Sequence, residues 1–217
     1  MAAGQAVTLE DQLAALSDCG IRLRDAVSVD HLLCSFGRED YENDPYALLL
    51  TVMGSEVEEP PPEGYVSDNI WYFDVECIYG DGSYVAIAQR MSVLASGALP
   101  LEDVQDRVGP ENAAAWLSFR LDGRDYRWNA EVDGDWVDGS ILTRLAELLP
   151  TRSSDKQFTY LSLAGQDCLI GCATKEQFNR LRGKTGLGFQ WLTARALRGS
   201  WLTRLILNVK IWWAQRR

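Results

Sequence analysis

Hydrophobic and polar positions alternate most clearly between Ala114 and Val132. Asp122-Gly123 is a two-residue turn of the kind that type I′ geometry favours. If Leu121 pairs with Arg124, then Phe119 faces Tyr126, Leu117 faces Trp128 and Ala115 faces Ala130. The other face pairs Arg120 with Asp125, Ser118 with Arg127 and Trp116 with Asn129. The apolar residues of both strands share one face, so this hairpin belongs to a sheet with a buried side.

The rest of the chain follows from the same periodicities. Thr8 caps a helix striped by Leu9, Leu13 and Leu16, ended by Gly20. Ser28 caps a second, with Phe36 inward and Gly37 as its stop. Arg38 to Asp44 reads as an acidic, solvated turn. Asp44-Pro45 starts a third helix that ends at Gly54. Residues 55–68, with three consecutive prolines, read as a surface linker. Asn69 to Ile78 is a strand with Trp71, Phe73, Val75 and Cys77 on one face and Ile70, Tyr72, Asp74 and Glu76 on the other. Gly80 to Ser83 turns into a helix on Tyr84, Ile87, Ala88, Met91 and Leu94. Pro100 opens a short helix through Val108, and the hairpin follows.

Asp138 or Ser140 caps a helix carrying Ile141, Leu142, Leu145 and Leu149. A second hairpin turns at Gly165-Gln166, which sets Leu163 opposite Cys168. Both its faces are apolar, so its strands are central and covered on both sides. Thr174 and Gln177 make a capping box for a helix that stops at Gly183. Leu187 to Leu192 is a last strand. The expected fold is α+β, with a mostly antiparallel sheet of five to six strands built from hairpins. Its division is a helical part (1–54), a proline-rich acidic loop (55–68), a sheet domain (69–192) and a basic amphipathic tail helix (193–217).

Charge narrows the function. The net charge is −10 over 217 residues. Residues 193–217 carry six basic residues and no acid, so an acidic body bears a basic tail. Nucleic-acid binding by the body is not expected, because phosphate contacts need clustered Lys and Arg. The N-terminus lacks the features of a signal peptide. Five irregularly spaced cysteines make a poor disulfide framework, and the chain reads as cytoplasmic with reduced thiols.

Four groups of residues could carry chemistry. His31 and Cys34 stand three apart on an expected helix, a spacing open to a Cys-His dyad but commoner in ordinary packing. Cys168 and Cys172, four apart on a strand, are about 13 Å apart, too far to share a metal. Asp133, Asp135 and Asp138 suggest a calcium loop, but the EF-hand spacing fails. Asp74 and Glu76, about 7 Å apart on one strand face, are the leading enzymatic candidates, for a hydrolase or metal site with the Asp133 loop nearby. No cofactor or resident metal is expected.

The leading expectation is a non-catalytic protein-binding module, of the kind that an inhibitor or immunity-type protein presents to a basic partner. Glu39, Asp40, Glu42, Asp44, Glu56, Glu58 and Glu59 would form its acidic face. The alternative is a peripheral membrane protein held by the tail. There Trp201, Arg204, Leu205, Lys210, Trp212 and Trp213 combine an apolar stripe with basic residues. The same stripe could instead dock on the chain's own acidic body or bury itself in a homodimer.

Overall fold

A computed structural model describes residues 7–57, 63–109, 114–152, 155–163 and 165–198. The fold is α+β with three antiparallel sheets. Four helices come first: α1 (Leu9–Asp18), α2 (Val29–Leu32), α3 (Arg38–Asn43) and α4 (Ala47–Gly54). A short pair, β1 (Glu56–Val57) and β2 (Gly64–Tyr65), leads to β3 (Ile70–Asp74) and α5 (Ser83–Leu94). Then come β4 (Glu102–Arg107), β5 (Ala115–Leu121), β6 (Arg124–Ala130) and α6 (Gly139–Thr151). The chain continues with β7 (Lys156–Ser162), β8 (Asp167–Thr174), α7 (Lys175–Thr185) and β9 (Gln190–Trp191).

Two sheets organise the molecule. One has the order β3-β8-β7-β9, the other β4-β5-β6. The β5–β6 register is the one expected from the turn: Leu121 pairs with Arg124 and Ala115 with Ala130. Asp122 and Gly123 both have positive φ, 53° and 73°, as a type I′ turn requires.

β8 separates two hydrophobic clusters, and its alternate residues serve each in turn. Cys168 and Ile170 join Trp71, Phe73, Phe158 and Tyr160 in a core with α5, α6 and the inner face of β5–β6. Leu169 and Ala173 join Ile70 and Phe178 in a second core with α1 and α4. The strands of the second hairpin are therefore covered on both sides, as expected.

Six local expectations are corrected. Residues 102–107 form a strand, not a helix. Leu101, Val104 and Val108 stand at helical spacing, but a bulge near Asp103 (φ 50°) shifts the β4 register and lets β4 pair with β5. Arg38 to Asn43 is helix α3, not a solvated turn; Tyr41 is fully buried and donates its hydroxyl to the Leu32 carbonyl at 2.7 Å. Phe36 points outward, 41% exposed, because α2 ends at Leu32. The helix expected from Asp44-Pro45 begins two residues later, after Tyr46 at φ 74°. In the second hairpin, Ser162, not Leu163, faces Cys168. Its turn is longer than two residues: Leu163 N–H donates to the Asp167 carbonyl. Finally, α7 runs through Gly183 and stops at Gly186 in the left-handed region.

The start of α5 shows how a distant residue completes a helix. Ser83 accepts a bond from the Tyr79 N–H, so it does not cap the helix as a local cap would. Instead the Asp106 carboxylate, on β4, accepts from the N–H groups of Gly82, Tyr84 and Val85 at 2.7–3.0 Å. Nearby, Asp81 accepts from Val108 N–H, tying the same two segments a second time. Asp106→Ala strands three donors at a helix N-terminus. It should lower stability by about 2 kcal/mol. Urea unfolding checks this, and Asp106→Asn, which keeps an acceptor, should lose less.

Candidate functional site

The sequence-derived candidates fall into three places. On α3, Asp40 accepts from Gly37 N–H at the helix start, and Glu42 accepts from Leu9 N–H at the start of α1. Arg38 lies between Glu10 and Glu42, at 2.7 and 3.9 Å. So two of these acids are occupied as caps, and a cation sits among them. Glu39, Asp44 and Glu56 are exposed. Glu58 and Glu59 lie outside the described residues, as do Trp201, Arg204, Leu205, Lys210, Trp212 and Trp213. Of the expected tail, residues 194–198 are helical, and Leu197 is buried in the first core.

His31 and Cys34 do not share a helix turn. The His31 ring nitrogen Nδ1 accepts from Ser28 N–H at 2.9 Å, completing a cap on α2. The Cys34 thiol, beyond that helix, donates to the Asp30 carbonyl. Cys168 and Cys172 both face the first core. Burial pushes the Cys172 thiol up to about 12, so it is held protonated. Asp138 caps α6 through Ser140 N–H and also accepts from Glu131 N–H. Among the described residues, no group of three or more His, Cys, Asp or Glu side chains is placed to hold a metal ion.

Asp74 and Glu76 do come together, with other acids around them. Asp74 ends β3, directly opposite Asp167 at the start of β8. Its Oδ1 accepts from Glu76 N–H at 2.8 Å, which turns the chain out of the strand. The Gln166 amide then reaches Glu76 Oε2 at 2.9 Å and Asp74 Oδ2 at 3.4 Å. One neutral side chain thus bridges the two carboxylates.

The loop after β6 closes on the same corner. Val137 N–H donates to the Val75 carbonyl and Ile78 N–H to the Asp135 carbonyl. Glu76 and Asp133 each form an isolated antiparallel bridge with Trp136. Asp74, Glu76, Asp133, Asp135 and Asp167 therefore gather at one end of the β3–β8 pair. Among the described residues, none of the five forms an ion pair with Lys or Arg.

Aromatic side chains border this corner. Tyr79 is 81% exposed, and its hydroxyl donates to the Glu76 carbonyl at 2.8 Å. Trp136 is half-buried. Burial, and then the neighbouring Asp167, push the Tyr72 phenol up to about 12. Burial and then Asp74 and Asp135 do the same to the Cys77 thiol. On the inner side, Tyr65, Trp71, Phe73, Asp74, Cys77 and Asp81 are among the residues that line a cleft of about 470 Å³.

The hydrolase alternative puts the Asp133 loop near Asp74 and Glu76, but nothing in the sequence places Asp167 with them. The acidic run from Glu131 to Asp138 and the Asp167 after a glycine turn each mark an acidic turn. Their meeting depends on pairings between residues 76 and 136 and between 74 and 167, which no local pattern records. The arrangement presents negative charge and flat aromatic area on a rigid sheet end, which suits a cationic surface. Set against protein-family models, curated proteins and solved structures, the chain matches none.

Proposed function

We propose that this protein is a non-catalytic protein-binding module whose docking surface for a basic partner is the Asp74 end of the sheet. The observation that carries this reading is the gathering of five carboxylates without an ion pair among the described residues, beside the exposed Tyr79 ring. Carboxylates already neutralised within the protein offer little to a partner. Asp40 and Glu42 are of that kind, through two helix caps and Arg38, so we put the surface at Asp74 and not at Glu39 to Asp44. Tyr79 and Trp136 supply the aromatic contact area that recognition surfaces favour. The pairing of Asp74 and Glu76 serves recognition in this reading: the Gln166 amide orients both groups and leaves Glu76 Oε1 for a partner's cations.

The test is an NMR titration of the full chain with a Lys/Arg-rich peptide. Shift changes should centre on residues 74–79, 131–137 and 165–167. Raising salt from about 0.05 M to about 0.5 M shortens the screening length from roughly 14 Å to roughly 4 Å, so binding should collapse over that range. The triple variant Asp74→Asn, Asp133→Asn, Asp135→Asn should weaken binding about tenfold or more. Changes centred on Glu39 to Asp44, or binding indifferent to salt, would overturn the proposal.

A further inference from the structure

The open edge of the three-stranded sheet carries a second interaction surface. β6 pairs with β5 on one side and, among the described residues, with no strand on the other. In a two-residue hairpin the residues flanking the turn exchange both backbone bonds. Here that pair is Leu121 and Arg124, and it alternates along the ladder through Phe119–Tyr126 and Leu117–Trp128. The N–H and C=O groups of Asp125, Arg127 and Asn129 therefore point away from β5. The opposite edge of this sheet is different: β4 is engaged by the start of α5 through Asp106 and Asp81.

Among the described residues, both flanks of the β6 edge open onto cavities. On the outer side, Asp103, Gln105, Ser118, Arg120, Asp125 and Arg127 are among the residues around a cavity of about 410 Å³. On the other side, Arg124, Tyr126 and Arg152 border one of about 320 Å³ at the end of α6. The strand itself is held rigid by its side chains. Tyr126 stacks on Phe119 at 5.1 Å, and Arg127 lies over the Trp116 ring at 3.8 Å. A preformed edge, unpaired among the described residues, is the feature that strand addition requires.

The charges along the edge select the occupant. Two antiparallel copies can hydrogen-bond only where outward residues meet outward residues, so residue numbers across the junction must sum to an even value. A sum of 250 sets Asp125 against Asp125. A sum of 254 sets Arg127 against Arg127. A sum of 252 sets Asp125 against Arg127 twice, with Tyr126 facing its own copy across the two-fold axis. Of these registers, only the last joins opposite charges, and like charges directly opposed are destabilising.

We propose that β6 is a homodimerisation edge, along which two copies pair antiparallel with Asp125 of each opposite Arg127 of the other. The two three-stranded sheets then become one six-stranded sheet with an isologous centre. Arg120, 3.2 Å from Asp125, shares that carboxylate with the incoming Arg127. The Asp74 surface is not part of this contact, so the inference stands independently of the proposed function.

The experiment is sedimentation equilibrium of the full chain, with hydrogen exchange at matched concentrations. The wild type should dimerise reversibly, and the amides of Asp125 and Arg127 should become protected as dimer forms. Asp125→Arg alone and Arg127→Asp alone each set like charges opposite one another and should raise the dimer dissociation constant about tenfold. The double variant restores opposite charges and should return it close to the wild-type value. Arg127→Pro removes an outward N–H that makes no bond to β5, so the monomer should stay folded by circular dichroism while the dimer is lost. A monomer at every concentration up to roughly 0.5 mM would overturn the proposal, since even millimolar affinity populates a dimer there. So would a dimer in which the amides of Asp125 and Arg127 exchange as in the monomer. A dimer whose double variant fails to recover overturns this register.

Discussion

Gly54→Ala should destabilise the protein by about 3 kcal/mol, although the same substitution in an ordinary helix raises stability by about 1 kcal/mol. Gly54 closes α4, and the helix rests there directly on the β3 backbone. A Cβ at this position would stand 2.4 Å from the Tyr72 nitrogen and 2.8 Å from the Trp71 carbonyl carbon. Both are main-chain atoms in a strand paired to β8, so neither can yield as a side chain would. The helix must lift, and Leu49, Leu50 and Met53 would lift with it out of the second core. Gly183 supplies the contrast. It lies inside α7, and nothing stands within 4 Å of the position its Cβ would take. Gly183→Ala should therefore stabilise by up to about 1 kcal/mol. Urea midpoints of the two variants should move in opposite directions. A Gly54→Ala midpoint at or above wild type would show that α4 does not seat on β3 in this way.

Gln12→Leu should cost about as much, by a different route. Gln12 is fully buried on α1, and its amide serves three backbone groups. Its Nε2 donates to the carbonyls of Tyr41 and Val7, at 2.9 and 3.2 Å. Its Oε1 accepts from Tyr46 N–H at 2.8 Å. That last bond holds a non-glycine residue at φ 74°, a conformation that costs about 1 kcal/mol and needs such support. Leucine fills the volume but leaves a buried N–H and a buried C=O unpaired, each worth about 1–3 kcal/mol. The sum is about 3 kcal/mol, read from the same unfolding curves.

Gln12→Glu adds a pH signature. A buried carboxylate facing two carbonyls has its folded-state pKa raised above the unfolded value of about 4.3. Protonated, it can still donate, so the variant is most stable below that value. Stability should fall as pH rises through the window between the unfolded and the folded pKa. A pH-independent deficit would mean that the side chain has turned out to solvent.

What the sequence made legible depended on how many constraints met at each place. The β5–β6 register could be read because Asp-Gly fixed the loop length and one face was polar, so a slip by one residue would have buried Arg120 and Arg127. The β7–β8 register slipped by one because both faces are apolar and alternation could not choose between them. α3 was hidden because six of its flanking and member residues are charged or polar, and only Tyr41 shows that the segment has a buried side. β4 was hidden by the bulge at Asp103, which turns a helical spacing of Leu101, Val104 and Val108 into one apolar side of a strand. The candidate site was legible only in its halves. Asp74 and Glu76 were visible as a pair on one strand. The Asp133 loop was expected beside them without a register, and that Asp167 would join them follows from long-range pairing alone.

The place of β8 has a consequence for the growing chain. Both cores need this strand, yet among the described elements only α7, β9 and the helical residues 194–198 follow it from the ribosome. At about 5–20 residues per second, the interval between completion of α4 and of β8 is on the order of ten seconds. Through that interval α4 can rest only on a β3 that lacks its β8 partner, and neither core can close. Nascent protein should therefore engage chaperones until residue 174 emerges, and stalling synthesis before β8 should yield a sticky intermediate with no native half.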